Sequence, residues 1–516
     1  MPEVSNHAAR GPWFRGNDYS RPASEIDEYT VYASENVQIG NAGQAEKRKG
    51  SSPINSSALN SGATVLALGR HPFAAGAKEW AIVGDKFYEA IDGTPLDRTS
   101  TMTITAGDDN VYSMVNAGGT LIGHNGVSGD DILKWAASGN IATLDVDSRF
   151  TTAEFWEYWD RRAWAAYTNA SGATLWFSDA GDIETWGATS FFNIDEDFTG
   201  IKKWNTGILL HSANGLSMLM PTGNADTPYR KNDIVLSEDD GGLGGSVSGY
   251  AIVNVPYVGQ CFPRRDGIYA FTGGHVEKIS EKLDGSRYWD DINKDRLSES
   301  FVQIYPLRNE VWWWLPNGGS QTNMNQAMVL NYRLTRANGE PVWYGPYVDL
   351  TRNCGSLIDD LPAFGGFDGF VYKHGTGTAD NDGSSDVAID AFFETSTTAP
   401  MGGGIDMGWK KARVFFEVKG SYEVESREMS PDIAANAETI EMGGSYDAIE
   451  TSFTIGKSKI AGDDVVEYAD IDLSGDSPFK QMRFRNGNVN EEFGIRNVLL
   501  GHKPIGGVRR DQAGVH

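Results

Sequence analysis

The chain has 516 residues, with 44 lysines and arginines against 70 aspartates and glutamates, a formal net charge of −26 at neutral pH. That length exceeds one ordinary core and suggests two or three domains. The charge argues against a protein held to a polyanion by counterion release, so any contact with nucleic acid is expected to be loose. Apolar residues make up 40% without a run long enough to cross a bilayer, and Met1 to Val4 carry no basic-then-apolar signal region. Neither a membrane span nor classical secretion is therefore expected.

Residues 1–60 are polar and turn-rich, with too little apolar periodicity for a core of their own, and read as an N-terminal arm packed on neighbours or on the propeller. The basic cluster Lys47, Arg48 and Lys49 is a local exception to the acidic balance; the alternative to a packed arm is a solvated loop. Glycine is abundant, 61 residues, and is accompanied by 23 Phe, 20 Tyr and 15 Trp. Glycine supplies tight turns and aromatic residues suit half-buried strands, so the pairing points to an all-β chain rich in hairpins.

Over residues 61–400 one unit recurs: a short aromatic strand, a glycine-bearing turn and a second aromatic strand. The turn glycines Gly119, Gly172, Gly215, Gly267, Gly318 and Gly369 are spaced by 53, 43, 52, 51 and 51 residues. A step of about 50 residues matches a four-stranded propeller blade, and five to seven blades are expected. Within this region the aromatic segment from Ala153 to Tyr167 reads as two strands, with a turn at Asp160–Arg162, over a competing helical spacing of Phe155, Tyr158, Trp159 and Arg162. The triglycine Gly402–Gly404 reads as a linker, after which alternating strands predict a C-terminal β-sandwich or barrel over 401–516.

No nucleophile elbow, HExxH, P-loop or dinucleotide fingerprint is present, and no catalytic, cofactor-binding or metal residue is assigned. The eight histidines, His7, His71, His124, His211, His275, His374, His502 and His516, show no ligand spacing and read as structural or surface residues. Cys261 and Cys354 lie far apart in sequence with no CxxC or Cys/His cluster, and read as buried thiols, neither a disulfide framework nor a zinc site.

Ser178, Asp179, Gly181, Thr185 and Trp186 resemble the Asp-box of sialidases, with the spacing displaced by one place on each side; such a box is structural, and glycoside cleavage would need a separate carboxylate pair. Asp380, Asp382 and Asp386 with Gly383 resemble the opening of a calcium loop, but the twelfth position is Ala391, which excludes an EF-hand and favours an Asp/Gly turn. The acidic run Glu238–Asp240 reads as a solvated loop.

Taken in order, Glu35-Asn36-Val37, Glu46 to Gly50, Phe177 to Trp186, Gly207 to Leu210, Arg265 to Tyr269, Ile279 to Lys282, Arg308 to Glu310, Trp312 to Gly319, Val329 to Arg333 and Trp343 to Pro346 resemble the tail hub or nozzle protein, also called the DNA-stabilisation protein, of short-tailed bacteriophages. The resemblance implies a structural, non-enzymatic β-propeller protein of the virion tail, assembled in the host cytoplasm as a homohexamer. It also implies neighbours: the head-to-tail adaptor and tail fibre, tailspike or needle proteins. Double-stranded DNA would pass non-specifically through the ring during ejection, and an acidic lumen would keep it from sticking. The competing expectation is a carbohydrate-binding or carbohydrate-cleaving propeller, a receptor-binding or depolymerase protein.

Overall fold

The computed structural model describes residues 6–73, 76–136, 139–146, 150–169, 172–224, 227–234, 244–400, 406–417, 419, 422–429, 437–441 and 466–504. Among them the chain forms seven antiparallel four-stranded sheets and two larger sheets, an all-β architecture of propeller plus β-sandwich. Blade one begins with Val65–Phe73, blade two with Ser113–Ala117, blade three with Phe155–Trp159 and blade four with Phe198–Trp204. Blades five, six and seven begin with Val253–Val255, Phe301–Tyr305 and Cys354–Ile358. These first strands neighbour one another around an axis, and the circle closes where Cys354–Ile358 lies beside Val65–Phe73.

Two features lock the closure. Asn353 Nδ2 donates to Val65 O at 3.1 Å, and the Val65 amide donates to Gly366 O at 3.0 Å. The fourth strand of blade seven is not the next segment of chain but Ser51–Pro53, paired antiparallel with Val371–His374. Each small sheet has two apolar faces and no partner of its own, so stacking in a closed ring is what buries them.

Five of the six marker glycines share one position, the hairpin between the second and third strands of blades three to seven, whereas Gly119 falls between the first and second strands of blade two. The expected pair of strands around Trp156 is Phe155–Trp159 and Arg162–Asn169. Their turn residues Asp160 and Arg161 both have positive φ, 52° and 58°, as a two-residue hairpin twisted with its strands demands.

The division into arm, propeller and C-terminal domain needs correction. Residues expected to form an arm instead supply strands to both sheets of the sandwich. The seven-stranded sheet runs Val37–Ile39, Ala45–Lys47, Gly494–Pro504, Met407–Glu417, Val466–Asp472, with Asn6–Arg10 and Asp476–Ser477 attached. The five-stranded sheet runs Val31–Glu35, Ala391–Thr395, Gln481–Asn486, Glu423–Met429, Ala437–Glu441. The physical reason is that short polar strands gain a core by adding to another segment's sheet. The boundary at 400 shifts too, because Ala391–Thr395 already belongs to the sandwich. One buried cluster, including Trp13, Trp312, Trp314, Phe364, Phe393, Trp409 and Phe484, spans blades six and seven and the sandwich.

Candidate functional site

The first strands of the blades leave a cavity of about 520 Å3 on the propeller side, bounded by Arg70, Tyr112, Lys202, Tyr250, Gln303 and Ser356 among others. Arg70 is held by Glu79 at 3.0 Å and Asp359 at 2.7 Å. Near the cavity the Tyr250 hydroxyl donates to Val111 O at 3.0 Å and approaches Glu154 Oε1 at 3.4 Å. Burial raises the proton affinity of the half-buried Glu154 carboxyl. Glu157, buried at the start of the same blade, has its oxygens occupied by the Tyr158 and Lys203 amides, at 3.0 and 3.2 Å. It is a structural acceptor.

The densest polar network lies where the sandwich meets the propeller. Trp343–Tyr347, the last strand of blade six, neighbours both Val31–Glu35 and Val37–Ile39. Between those two strands Asn36 adopts a left-handed φ of 54°, which asparagine tolerates better than most residues. Its amide donates to Pro346 O at 2.9 Å, its Nδ2 to Asp390 O at 2.8 Å, and its Oδ1 accepts from Arg48 Nε at 2.8 Å and from the Val348 amide at 2.9 Å. Arg48 then grips Asp380 through two hydrogen bonds, of 3.0 and 2.5 Å. With Ser51 Oγ donating as well, at 2.8 Å, the largely buried Asp380 carboxyl is held at a pKa of about 2, the neighbouring guanidinium overcoming the cost of desolvation.

Gly345 O accepts from Asn17 Nδ2 at 2.6 Å, Ser34 Oγ at 2.8 Å and the Tyr19 hydroxyl at 3.0 Å. Arg287 clasps the N-terminal segment through the carbonyls of Asp18, Tyr19, Arg21 and Tyr32.

The motifs singled out from sequence do not converge on one pocket. The Asp-box-like string is the turn between the third and fourth strands of blade three. There the Asp179 amide donates to Thr185 O at 2.8 Å, Thr185 Oγ1 donates to Asp182 at 2.8 Å, and Trp186 packs on Phe150 with centroids 4.7 Å apart. The calcium-like loop is a small hairpin: Asp380 is committed to Arg48, and the Asp382 carboxylate accepts from the Ser384 and Ser385 amides, both at 2.9 Å. Among the described residues no three His, Cys, Asp or Glu side chains are grouped to hold a metal ion.

The basic cluster is built into the sandwich, with Lys47 Nζ donating to Asn486 Oδ1 and Asn488 O, both at 2.9 Å, and Lys49 paired with Glu492. Both cysteines are buried free thiols, in blades five and seven. The acidic run Glu238–Asp240 and the triglycine Gly402–Gly404 lie outside the described residues. Sequence reasoning missed Asn36 as the hub of the seam; its signal was a lone asparagine between two short β-prone runs, where a left-handed residue changes the chain's direction.

No protein-family model matches the chain, and no curated protein matches it. Solved structures do. The CNH domain of AfRom2 is 10% identical with a TM-score of 0.38, covering 63% of this chain and 99% of its own. An exo-beta-1,3-galactanase from Phanerochaete chrysosporium, with beta-1,3-galactotriose, is 11% identical with a TM-score of 0.26 over 88% of this chain and 99% of its own. A family 43 arabinoxylan arabinofuranohydrolase from Bacillus subtilis is 8% identical with a TM-score of 0.23 over 87% of this chain and 98% of its own. The expectation that the chain is not an enzyme is corrected: glycoside hydrolases stand among the solved structures it is similar to, a likeness of fold alone, and absent sequence motifs do not exclude catalysis.

Proposed function

We propose that the chain is a structural component of the tail of a short-tailed bacteriophage: a hub or nozzle, six copies to a ring, that extends the genome's channel below the head-to-tail adaptor. The observation that carries the reading is where the resembling strings fall in the fold. Glu35 to Val37, Arg48 and Trp343 to Pro346, distant in sequence, meet at the seam between propeller and sandwich. Glu310 lies in the adjoining blade, where Arg308 Nε and Trp312 Nε1 donate to it at 2.5 and 2.8 Å. Side chains used in this way fix the angle between two bodies, as a ring of identical subunits requires.

The net charge of −26 suits a wall that double-stranded DNA must slide past without binding. In this reading the protein sits in the virion tail after assembly in the host cytoplasm, and meets the adaptor on one side and fibre, tailspike or needle proteins elsewhere. Mass photometry of the purified chain tests it: a closed assembly of six copies is expected, and a protein that stays monomeric both alone and with its adaptor overturns it.

A second reading, a carbohydrate-binding or carbohydrate-cleaving propeller, is favoured by the Glu154–Tyr250 pair beside the axial cavity. A carboxyl whose proton affinity is raised by burial is suited to protonate a leaving glycosidic oxygen, the general-acid half of the carboxylate pair that cleavage requires. Release of reducing sugar from galactan or arabinoxylan, abolished by Glu154→Gln, is its expected outcome; no release from a broad polysaccharide panel removes it.

A further inference from the structure

Tyr257 and Leu307, 72% and 64% exposed, are the two most exposed large apolar side chains among the described residues. Tyr257 tips the hairpin between Val253–Val255 and Gly259–Arg264 of blade five, and Leu307 the turn between Phe301–Tyr305 and Glu310–Leu315 of blade six. In antiparallel blades the first-to-second hairpins and the third-to-fourth connections leave by one face of the propeller. The helix Tyr332–Asn338, which joins the third and fourth strands of blade six, therefore stands on the same face. It ties the two side chains into one patch: the Tyr332 amide donates to Asn309 O at 2.9 Å, just past the Leu307 turn, and one helical turn on the Arg336 guanidinium lies 4.0 Å over the Tyr257 aromatic ring.

Strain and charge both point outward from this patch. Tyr257 has a φ of 68°, a left-handed conformation that a bulky residue adopts only at a cost and that glycine adopts freely. An aromatic ring kept there in solvent gives the chain's own core nothing. Arg333 and Arg336 are exposed, and neither reaches a carboxylate among the described residues. The neighbouring Glu310 is held by Arg308, and Glu340 by Lys282 and Arg15.

The opposite face carries the complement. Between the last strand of blade three, Phe191–Ile194, and the first of blade four, Phe198–Trp204, the connection through Asp195, Glu196 and Asp197 leaves by the other face. Glu196 accepts from Ser212 Oγ at 2.6 Å, whereas Asp195 and Asp197 are exposed and no cation pairs with either among the described residues. Cations on one face and carboxylates on the other cannot meet within a chain. They meet between copies set face to back, the heterologous contact from which cyclic rings close.

We propose that the patch of Tyr257, Leu307, Arg333 and Arg336 is one side of the contact between neighbouring copies of this chain, with Asp195 and Asp197 of the partner subunit opposite its arginines. The proposal rests on the ring reading and adds to it which faces touch.

Mass photometry under the conditions in which the wild-type chain assembles tests it. Arg333→Glu with Arg336→Glu should leave monomers, as should Asp195→Lys with Asp197→Lys. An equimolar mixture of the two variants should regain the six-copy ring, because alternating copies then meet with opposite charges at every contact. Tyr257→Gly, suited to a φ of 68°, should keep the melting temperature and weaken assembly about tenfold. A charge variant that still forms the ring alone overturns the proposal and leaves the ring reading standing, and so does a mixture that stays monomeric; a wild-type chain that never assembles removes both. Should a charge variant fail to fold, Tyr257→Gly decides alone, and its assembly at the wild-type concentration overturns the contact.

Discussion

Arg48 is 3% exposed and its partner Asp380 lies in a largely buried position, so neither charge is separable from the other. Removing one leaves the second buried and unpaired, the costly case for an interior ion pair. Arg48→Ala should lower stability by about 3–5 kcal/mol in denaturant titration, and adding Asp380→Asn should recover part of that loss. A single-variant cost no larger than that of an exposed pair would show that the seam is not held there. His211 is one source of sensitivity to acid. Its Nδ1 accepts from the Ser246 amide and its Nε2 donates to Gln260 Oε1, both at 3.0 Å, while burial depresses its pKa from 6.5 to about 4. Because the folded value is the lower one, the unfolded chain binds the proton first. The stabilisation is complete above pH 6.5 and is lost as pH falls toward 4, worth about 3 kcal/mol in all. His124 and His374 are shifted in the same direction by burial. Melting temperature should therefore fall steadily between pH 6.5 and 4, less steeply in His211→Gln; a flat profile would contradict the assignment.

At the scale of the element, the closure of blade seven makes the sharpest demand. Ser51–Pro53 supplies the outer strand, and the Ile54 amide donates to Val371 O at 2.8 Å. Ile54→Pro removes that donor, and a proline here also constrains the preceding strand residue. Amide exchange in Val371–His374 should quicken by tenfold or more while Gly172–Phe177 of blade three keeps its protection; equal loss in both would mean the ring does not depend on this strand. The same strand shows what sequence could and could not reveal. The repeat was legible because the hairpin after each second strand calls for a residue that accepts tight geometry, and Gly172, Gly215, Gly267, Gly318 and Gly369 supply it at nearly constant spacing. Gly119 misled because it serves a different hairpin in its blade. The N-terminal strands were illegible as sandwich strands because Val37–Ile39 and Ala45–Lys47 are three residues each. So short a strand carries almost no periodicity of its own, and the pairing of Ala45–Lys47 with Gly494–Pro504 is a contact more than 400 positions distant.

For the whole molecule, the shared core decides how it comes apart. A propeller joined to a sandwich by a thin linker would unfold in two steps, each body by its own stability. Here Trp312, Trp314 and Phe364 of the blades belong to one buried cluster with Phe393, Trp409 and Phe484 of the sandwich, and Phe301 stacks on Trp314 at 5.8 Å while Phe364 meets it edge-on at 4.9 Å. Loosening one body uncovers the other's aromatic face, so blades six and seven and the sandwich should unfold as a unit, with the far blades following because an opened ring exposes both faces of each sheet. Trp314→Ala, which leaves a large cavity in that cluster, should cost about 3–5 kcal/mol. Hydrogen exchange resolved by segment should find protection in Met407–Glu417 reduced together with that in Glu310–Leu315. If the sandwich strand keeps its protection while the blade strand loses it, the two bodies are energetically separate and the seam only orients them. If both fall together, a force applied to one body reaches the other without a hinge, the stiffness that the proposed ring would need.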